Sequence, residues 1–323
     1  MSSNLPDFLA ASSSNTGSNC IDWPFREPGP PAREWVISGV LLCITVLSTS
    51  FAGTFYHFGD IFQAFREFIN TPGSLIYGLP FSIPLISILL AHELGHFLAC
   101  RYYGMRCTPP FFIPAPVPIT GTFGAFIKIK SQFRHKRALF DIGVAGPLAG
   151  FAITLPVLII GINLSSVIPK EDIPRGFYIF GDPIIFQFFS SLILGYSPGT
   201  QEIEPHLIAM AGWVGLLATS LNLLPIWQLD GGHIAYAILG KSRQKKLSIV
   251  AIVGLFLFGI WGLPSPTYLV FGALLLFIGW RMRFYHPPTL LDEEKPGLAR
   301  LLVGFMALLI LIFSFIPVPV RIS

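Results

Sequence analysis

Along the 323 residues, apolar and polar positions fall in blocks rather than alternating: long runs of Leu, Ile, Phe and Ala are separated by short polar or Pro/Gly-rich stretches. A transmembrane helix needs about 20 predominantly apolar residues in succession, and several of these blocks approach that length. The first runs from about Trp35 to Phe55. The second ends near Cys100 and has Pro80 and Pro84 at its start, where proline suits a first helical turn. A third covers about Ala138 to Ile162, and a fourth begins near His206. Three more follow, at about Leu247 to Leu263, Thr267 to Trp280 and Leu298 to Pro319, with Pro264-Ser265-Pro266 predicting a tight helical hairpin between the first two. The pattern predicts an all-α polytopic membrane protein of about seven transmembrane helices, bounded by six and eight. The loop from 164 to 205 lies on the opposite side, and its apolar piece, Ile184 to Leu194, is too short to span.

One stretch breaks the helical pattern. Pro109, Pro110, Pro114, Pro116 and Pro118 exclude helix. The β-forming run Phe123 to Lys130 then ends in alternating apolar and lysine positions, as a strand with one apolar face does. Gly121 and Gly124 permit tight backbone geometry or the close approach of another chain. The segment reads as a short membrane-associated β-hairpin between helices 2 and 3, dipping in beside the second span. An ordinary interfacial loop fits these residues too.

Composition agrees with the blocks. The chain is 53% hydrophobic and 12% charged, against roughly 25% charged in soluble domains. Its formal net charge of +4 is small and its basic residues lie between apolar runs, which excludes a nucleic-acid surface. With seven spans, 17 of the 21 Lys and Arg fall on the N-terminal side of the membrane and 4 on the other. That predicts a cytoplasmic N-terminus. Residues 1–34, Ser/Asn-rich and then Pro-rich, read as a disordered cytosolic tail without a cleaved leader, in what we expect to be a bacterial inner membrane. Residues 35–323 form the transmembrane domain, its core at about 75–239 with the hairpin region at 109–130. Cys20, Cys43, Cys100 and Cys107 show no paired spacing and support neither a disulfide framework nor a cysteine metal site.

The second span carries His92-Glu93-Leu94-Gly95-His96 in an otherwise un-ionisable apolar run. On a helix His92 and His96 project from one face and can grip one zinc ion, while Glu93 can accept a proton from water. Ionisable groups in lipid are costly and mark function. The fourth span carries Asn222-Leu223-Leu224-Pro225-Ile226-Trp227-Gln228-Leu229-Asp230-Gly231-Gly232-His233. Pro225 disfavours helix at Leu224 and Gly231-Gly232 loosens the chain again, so this helix should break between them. Asp230 is the single acidic residue between Glu204 and Asp292. A catalytic zinc takes three protein ligands, and His92, His96 and Asp230 complete that set, leaving His233 beside it as a supporting residue. His57, His135, His206 and His286 sit at span edges or in loops and are expected to be solvated or interfacial. On the predicted topology His92 to His96 and Asp230 approach the same cytoplasmic depth. In the third span, Gly146 and Gly150 form a face for close approach of the metal helix, and Pro147 releases a backbone carbonyl. Asp141 is expected to pair with Arg137 or cap that helix.

HELGH in one span and NLLPIWQLDGGH in a later one, with GTFGAF and FDIGVAGPLAG between, resemble the site-2 protease family of intramembrane zinc metalloproteases. The similarity covers about Leu75 to Leu239. The resemblance implies one Zn²⁺ per chain on His92, His96 and Asp230, with Glu93 as catalytic base. It implies that Asn222 holds the substrate backbone or the developing oxyanion. It implies further that the hairpin, through Gly121, Phe123 and Gly124, presents a single-span transmembrane substrate as an added strand. The segment between spans two and three is too short for the PDZ domain of many members, so the chain resembles the compact members, which include chloroplast relatives. Two rival readings are a transporter or channel lined by the broken fourth span, and an inactive membrane scaffold with structural zinc. The first predicts an internal repeat, which the sequence lacks.

Overall fold

A computed structural model describes residues 27–115, 120–173, 178–263, 267–281, 289 and 296–322. The expected tail falls mostly in residues 1–26, outside the described residues, as do Cys20, Pro116, Pro118, His286 and the predicted turn Pro264–Pro266. Among the described residues, four helices are long and apolar enough to cross a membrane: Ala32–Phe58, Pro72–Tyr102, Lys136–Asn163 and Lys241–Trp261. Shorter apolar helices occupy Ile184–Leu194, Leu207–Leu223, Thr267–Arg281 and Leu298–Ser314. The molecule is a helical integral membrane protein.

Helix α1 (Ala32–Phe58) starts after Pro31 and stops at Gly59 in the left-handed conformation, the usual glycine device for ending a helix. Its buried face is hydroxyl- and glycine-rich, with Ser38, Thr45, Thr49, Ser50, Gly53 and Thr54 inside, while Val36, Val40 and Leu47 point outward. That inversion of the soluble pattern is what lipid solvent selects, because small residues let helix backbones approach. Amphipathic α2 (Ile61–Asn70) is capped by Asp60. A 3₁₀ segment, Pro72–Gly78, leads into α3 (Leu79–Tyr102), which accommodates Pro84 and continues unbroken through the histidine motif.

Helix α4 (Lys136–Asn163) packs along α3. The fit depends on glycine: a Cβ on Gly95 would sit 2.4 Å from the Ala145 carbonyl oxygen. Across α4 lies α6 (Leu207–Leu223), where a Cβ on Gly161 would come 2.2 Å from the Ala209 nitrogen. Short α5 (Ile184–Leu194) buries Phe186 in the same core with Phe81, Leu85, Leu158, Trp213, Leu216 and Ile316. The predicted break in the fourth span falls at residues 224–229, before α7 (Asp230–Leu239). Gly231 and Gly232 do not extend the break; they lie in the first turn of α7. They are small for another reason: a Cβ would meet the Leu223 carbonyl oxygen at 1.9 Å or the Trp227 one at 2.3 Å. Helices α8 (Lys241–Trp261) and α9 (Thr267–Arg281) pack as a pair, Gly259 against Leu269. The last helix, α10, spans Leu298–Ser314. It stops short of the expected Pro319, since Ile316 precedes Pro317 and is biased towards extended backbone.

Strands β1 (Phe111–Pro114) and β2 (Thr122–Phe126) pair antiparallel, Phe111 opposite Phe126 and Pro114 opposite Thr122. Beyond β2 the alternating lysine stretch makes one bridge, Ile129 to Cys107. Two further ribbons correct the expectation of plain loop and helix. Strand β3 (Ser166–Pro169) pairs with β5 (Gln201–Glu204), and β4 (Tyr178–Phe180) pairs with the C-terminal β6 (Val320–Ile322). Strands of three or four residues with partners up to about 140 positions away leave no local periodic signal.

The N-terminal ends of α1, α4 and α10 meet the C-terminal end of α3. Lys130 contacts Glu34 at 2.5 Å, and the Tyr103 hydroxyl donates to Asp141. Asp141 takes its ion pair from Arg300, at 2.9 and 2.7 Å. That differs from the expected Arg137 pairing or helix cap, because α10 returns to α4 across 159 positions of sequence.

Candidate metal centre

Four residues apart on unbroken α3, His92 and His96 turn the same face towards α4. They rest over its glycines: a Cβ on Gly146 would fall 2.1 Å from His96 Nε2, and one on Gly150 would fall 3.1 Å from His92 Cβ. His96 Nδ1 lies 2.7 Å from the Ile142 carbonyl oxygen. A carbonyl only accepts, so Nδ1 carries the proton and Nε2 offers its lone pair inward.

The third donor comes from α7, which packs on the same glycine-lined face of α4: a Cβ on Gly143 would fall 3.4 Å from the Asp230 carbonyl oxygen. Asp230 is the first residue of α7. Its Oδ2 stands 3.2 Å from His92 Nε2 and its Oδ1 3.3 Å from His96 Nε2, while the two Nε2 atoms are 3.1 Å apart. A tetrahedral ion with bonds of about 2.0–2.1 Å holds its ligand atoms roughly 3.3–3.4 Å apart. Two ring nitrogens and a carboxylate crowded at this spacing call for a cation between them, and among the described residues this is the one His/Cys/Asp/Glu group that could hold a metal. The donors suit zinc, with three protein ligands and a fourth position open. His92 and His96 are 6% and 7% exposed, so the charge is held in low dielectric, where pairing matters most.

Glu93 is also buried, and the Ile127 backbone N–H, just past β2, faces its carboxylate. The paired strands and the metal helix therefore meet at Glu93. In the last turn of α6, Asn222 Nδ2 stands 3.5 Å from His92 Nε2. His233, one turn into α7, packs over Gly143 and lies 5.8 Å from the Phe133 ring, outside the three-donor cluster.

The two hairpin glycines differ in use. Gly121 (φ 68°) is pressed against α1, where a Cβ would meet the Ser48 carbonyl oxygen at 2.4 Å, and its own carbonyl accepts from Ser48 Oγ at 2.7 Å. Gly124 (φ 97°) has no protein atom within 4 Å of a built Cβ, and the neighbouring Phe123 is 70% exposed. Space for another chain is therefore at Gly124, whereas at Gly121 the close approach is the protein's own. Of the remaining histidines, His57 stacks on Tyr77, His135 precedes α4 and His206 caps α6. Sequence reasoning missed the Ile142 carbonyl. The signal was Pro147, which frees the adjacent Gly143 carbonyl and loosens that turn of α4.

Fold and site define a helical membrane protein with a buried metal centre and a glutamate at its edge. Residues 80–260 match peptidase family M50, and the chain belongs to that family. It is 28% identical over 309 residues to "Probable zinc metalloprotease EGY1, chloroplastic" of Arabidopsis thaliana, covering 90% of this chain and 55% of that protein. It is 29% identical over 310 residues to the protein of the same name from Oryza sativa subsp. japonica, covering 90% and 52%. To "Probable zinc metalloprotease EGY2, chloroplastic" of Oryza sativa subsp. indica it is 31% identical over 260 residues, covering 75% and 44%. The chain spans about half the length of these relatives.

Proposed function

We propose that this chain is an intramembrane zinc metalloprotease that hydrolyses a peptide bond within the transmembrane segment of membrane-protein substrates. The observation that carries it is the convergence of His92, His96 and Asp230 at 3.1–3.3 Å beside a buried glutamate. His92, His96 and Asp230 would hold the ion. When bound, zinc supplies Lewis acidity, polarising a carbonyl and bringing the pKa of water down to about 7. Glu93 takes the proton from the attacking water and passes it to the leaving amine. Asn222 Nδ2 donates to the oxygen on which charge develops. Asp230 and Glu93 together balance the ion's charge, which makes the loaded site tolerable in an apolar bundle.

A substrate helix hides its carbonyls in its own hydrogen bonds and must unwind before attack. Pairing with the edge of β2, past the open space at Gly124 and the exposed Phe123, offsets the lost bonds by β-augmentation. Substrates are accordingly single-span proteins with Gly, Asn or Pro weakening the span near the active-site end. Equal cleavage of a poly-Leu span and a Gly/Asn-containing one would overturn this substrate preference.

In this reading the chain crosses the membrane seven times, with the β1–β2 pair dipping in beside α3. The basic end, where Arg101, Lys130 and Arg300 make contacts, faces the cytoplasm of a bacterial inner membrane. The chloroplastic names of the relatives accommodate the plastid counterpart of that arrangement. Cysteine-accessibility labelling at Lys241 and Ser197 tests orientation, since opposite labelling reverses it.

Glu93→Gln is the decisive experiment. The purified full chain should keep one zinc and lose cleavage of a model transmembrane substrate by about 10²–10⁴-fold. Cleavage at the original rate would refute the assignment, and so would a chain that never binds zinc.

A further inference from the structure

Breaking a helix inside a membrane leaves backbone groups that lipid cannot satisfy. Between α6 and α7 some are met locally: Ile226 N–H donates to the Leu224 carbonyl at 2.7 Å and Leu229 N–H to that of Ile226 at 2.9 Å. Others are met from α8. Ser248 Oγ donates to the Pro225 carbonyl at 2.8 Å and accepts from Trp227 N–H at 3.2 Å. Gln244 Nε2 reaches the Trp227 carbonyl at 3.5 Å and bonds Ser248 Oγ at 2.9 Å. Gln244 is 3% exposed and Ser248 0%. Two fully buried polar side chains, four apart on one face of the basic opening turns of α8, grip the N–H and the C=O of a single residue, one in each of the peptide groups flanking its Cα. That residue, Trp227, has φ 37°, a left-handed conformation that a bulky side chain adopts only when its surroundings impose it. Its carbonyl is also wedged against Gly232, where a Cβ would come within 2.3 Å. Three residues later the chain delivers Asp230.

We infer that Gln244 and Ser248 are positioning residues for the metal centre: by clamping the backbone N–H and C=O of Trp227 they fix the turn that aims the Asp230 carboxylate at His92 and His96. Neither touches the ion or the reacting atoms. The inference rests on the metal-site reading above and deepens it.

The test uses the full chain in detergent, with zinc affinity by chelator competition and the visible spectrum of the cobalt(II)-loaded protein as readouts. Ser248→Ala should keep its circular dichroism and gel-filtration profile, bind zinc about tenfold more weakly, the lower end for changes behind a metal ligand, and shift the cobalt bands. Ser248→Thr, which retains the hydroxyl, should restore both. Gln244→Leu, similar in volume and leaving Ser248 to hold Pro225, should give the same changes in smaller measure; it decides the matter if Ser248→Ala does not fold. Unchanged affinity and spectrum in a folded Ser248→Ala or Gln244→Leu variant would overturn the positioning role while leaving the metal site standing. Absence of metal binding by the unsubstituted chain would overturn both.

Discussion

The two halves of the metal centre are held in opposite ways. His92 and His96 sit on α3, whose backbone hydrogen bonds close internally, so their placement is set by steric fit against Gly146 and Gly150 of α4. Asp230 follows a stretch with no helix at all, and its placement comes from Gln244 and Ser248 of α8 and from the glycines that let α7 fold back on the Leu223 carbonyl. The difference separates failure modes. The histidine half is rigid by packing and fails by overpacking, while the aspartate half is rigid by polar satisfaction and fails by losing partners.

Gly146→Ala should do the most damage. The new methyl would lie 2.1 Å from His96 Nε2, and an imidazole tied to the Ile142 carbonyl has nowhere to retreat. Zinc stoichiometry after dialysis should fall from one towards zero and proteolysis should vanish with it. Retained zinc at the original affinity would mean that packing does not hold the histidine half. Gly231→Ala attacks the other half. Its methyl would lie 1.9 Å from the Leu223 backbone oxygen, so α7 must slide and carry Asp230 away. Zinc binding should weaken by at least about tenfold, with a thermal penalty of about 1–3 kcal/mol for overpacking. Gly150→Ala is the milder companion, since 3.1 Å from His92 Cβ asks for a shift of a few tenths of an ångström. It should keep zinc and lose a smaller part of its rate; as large a loss as Gly146→Ala would break the steric ranking.

The same division sorts what could be read from the sequence. Residue spacing on a helix sufficed to see that His92 and His96 share a face, and Pro225 in an apolar run sufficed to see a break just ahead of Asp230. The apolar blocks located the long helices to within a few residues. What stayed hidden depends on partners far along the chain. The Ile142 carbonyl serves His96 from 46 positions away, and Arg300 reaches Asp141 from 159. Gln244 and Ser248 look like the polar tail of a basic turn until the unwound backbone they serve is in view. Strands β3 to β6 are too short to show a period. Glycine misled in one place: Gly231 and Gly232 suggested loose chain, yet they sit inside a helical turn where closeness, not flexibility, is required.

A third region belongs to neither half, and its variant should be the quietest. Beyond the far end of the bundle, the Asp182 carboxylate accepts from the Tyr196 hydroxyl at 2.9 Å. It lies near Glu202, which is ion-paired with Arg321 at 2.7 Å and Lys170 at 3.6 Å. Burial pushes the Asp182 pKa up to about 6, against the opposing hydrogen bond from Tyr196. A carboxylic acid raised in the folded state binds more protons there than in the unfolded chain. Its favourable share of stability is therefore complete below about pH 4 and is lost as pH rises through about 6. Asp182→Asn keeps an acceptor for Tyr196 but cannot ionise, so that part of the decline between pH 4 and 6.5 should disappear. At pH 7.5 the variant should be more stable by on the order of 1 kcal/mol, the shift being discounted for partial exposure. Zinc affinity and the cobalt spectrum should match the unsubstituted chain at every pH. Thermal melts in detergent across that range check the stability. A change in zinc affinity in this variant would show that the far end is coupled to the metal centre and that the division into two self-contained halves is too simple.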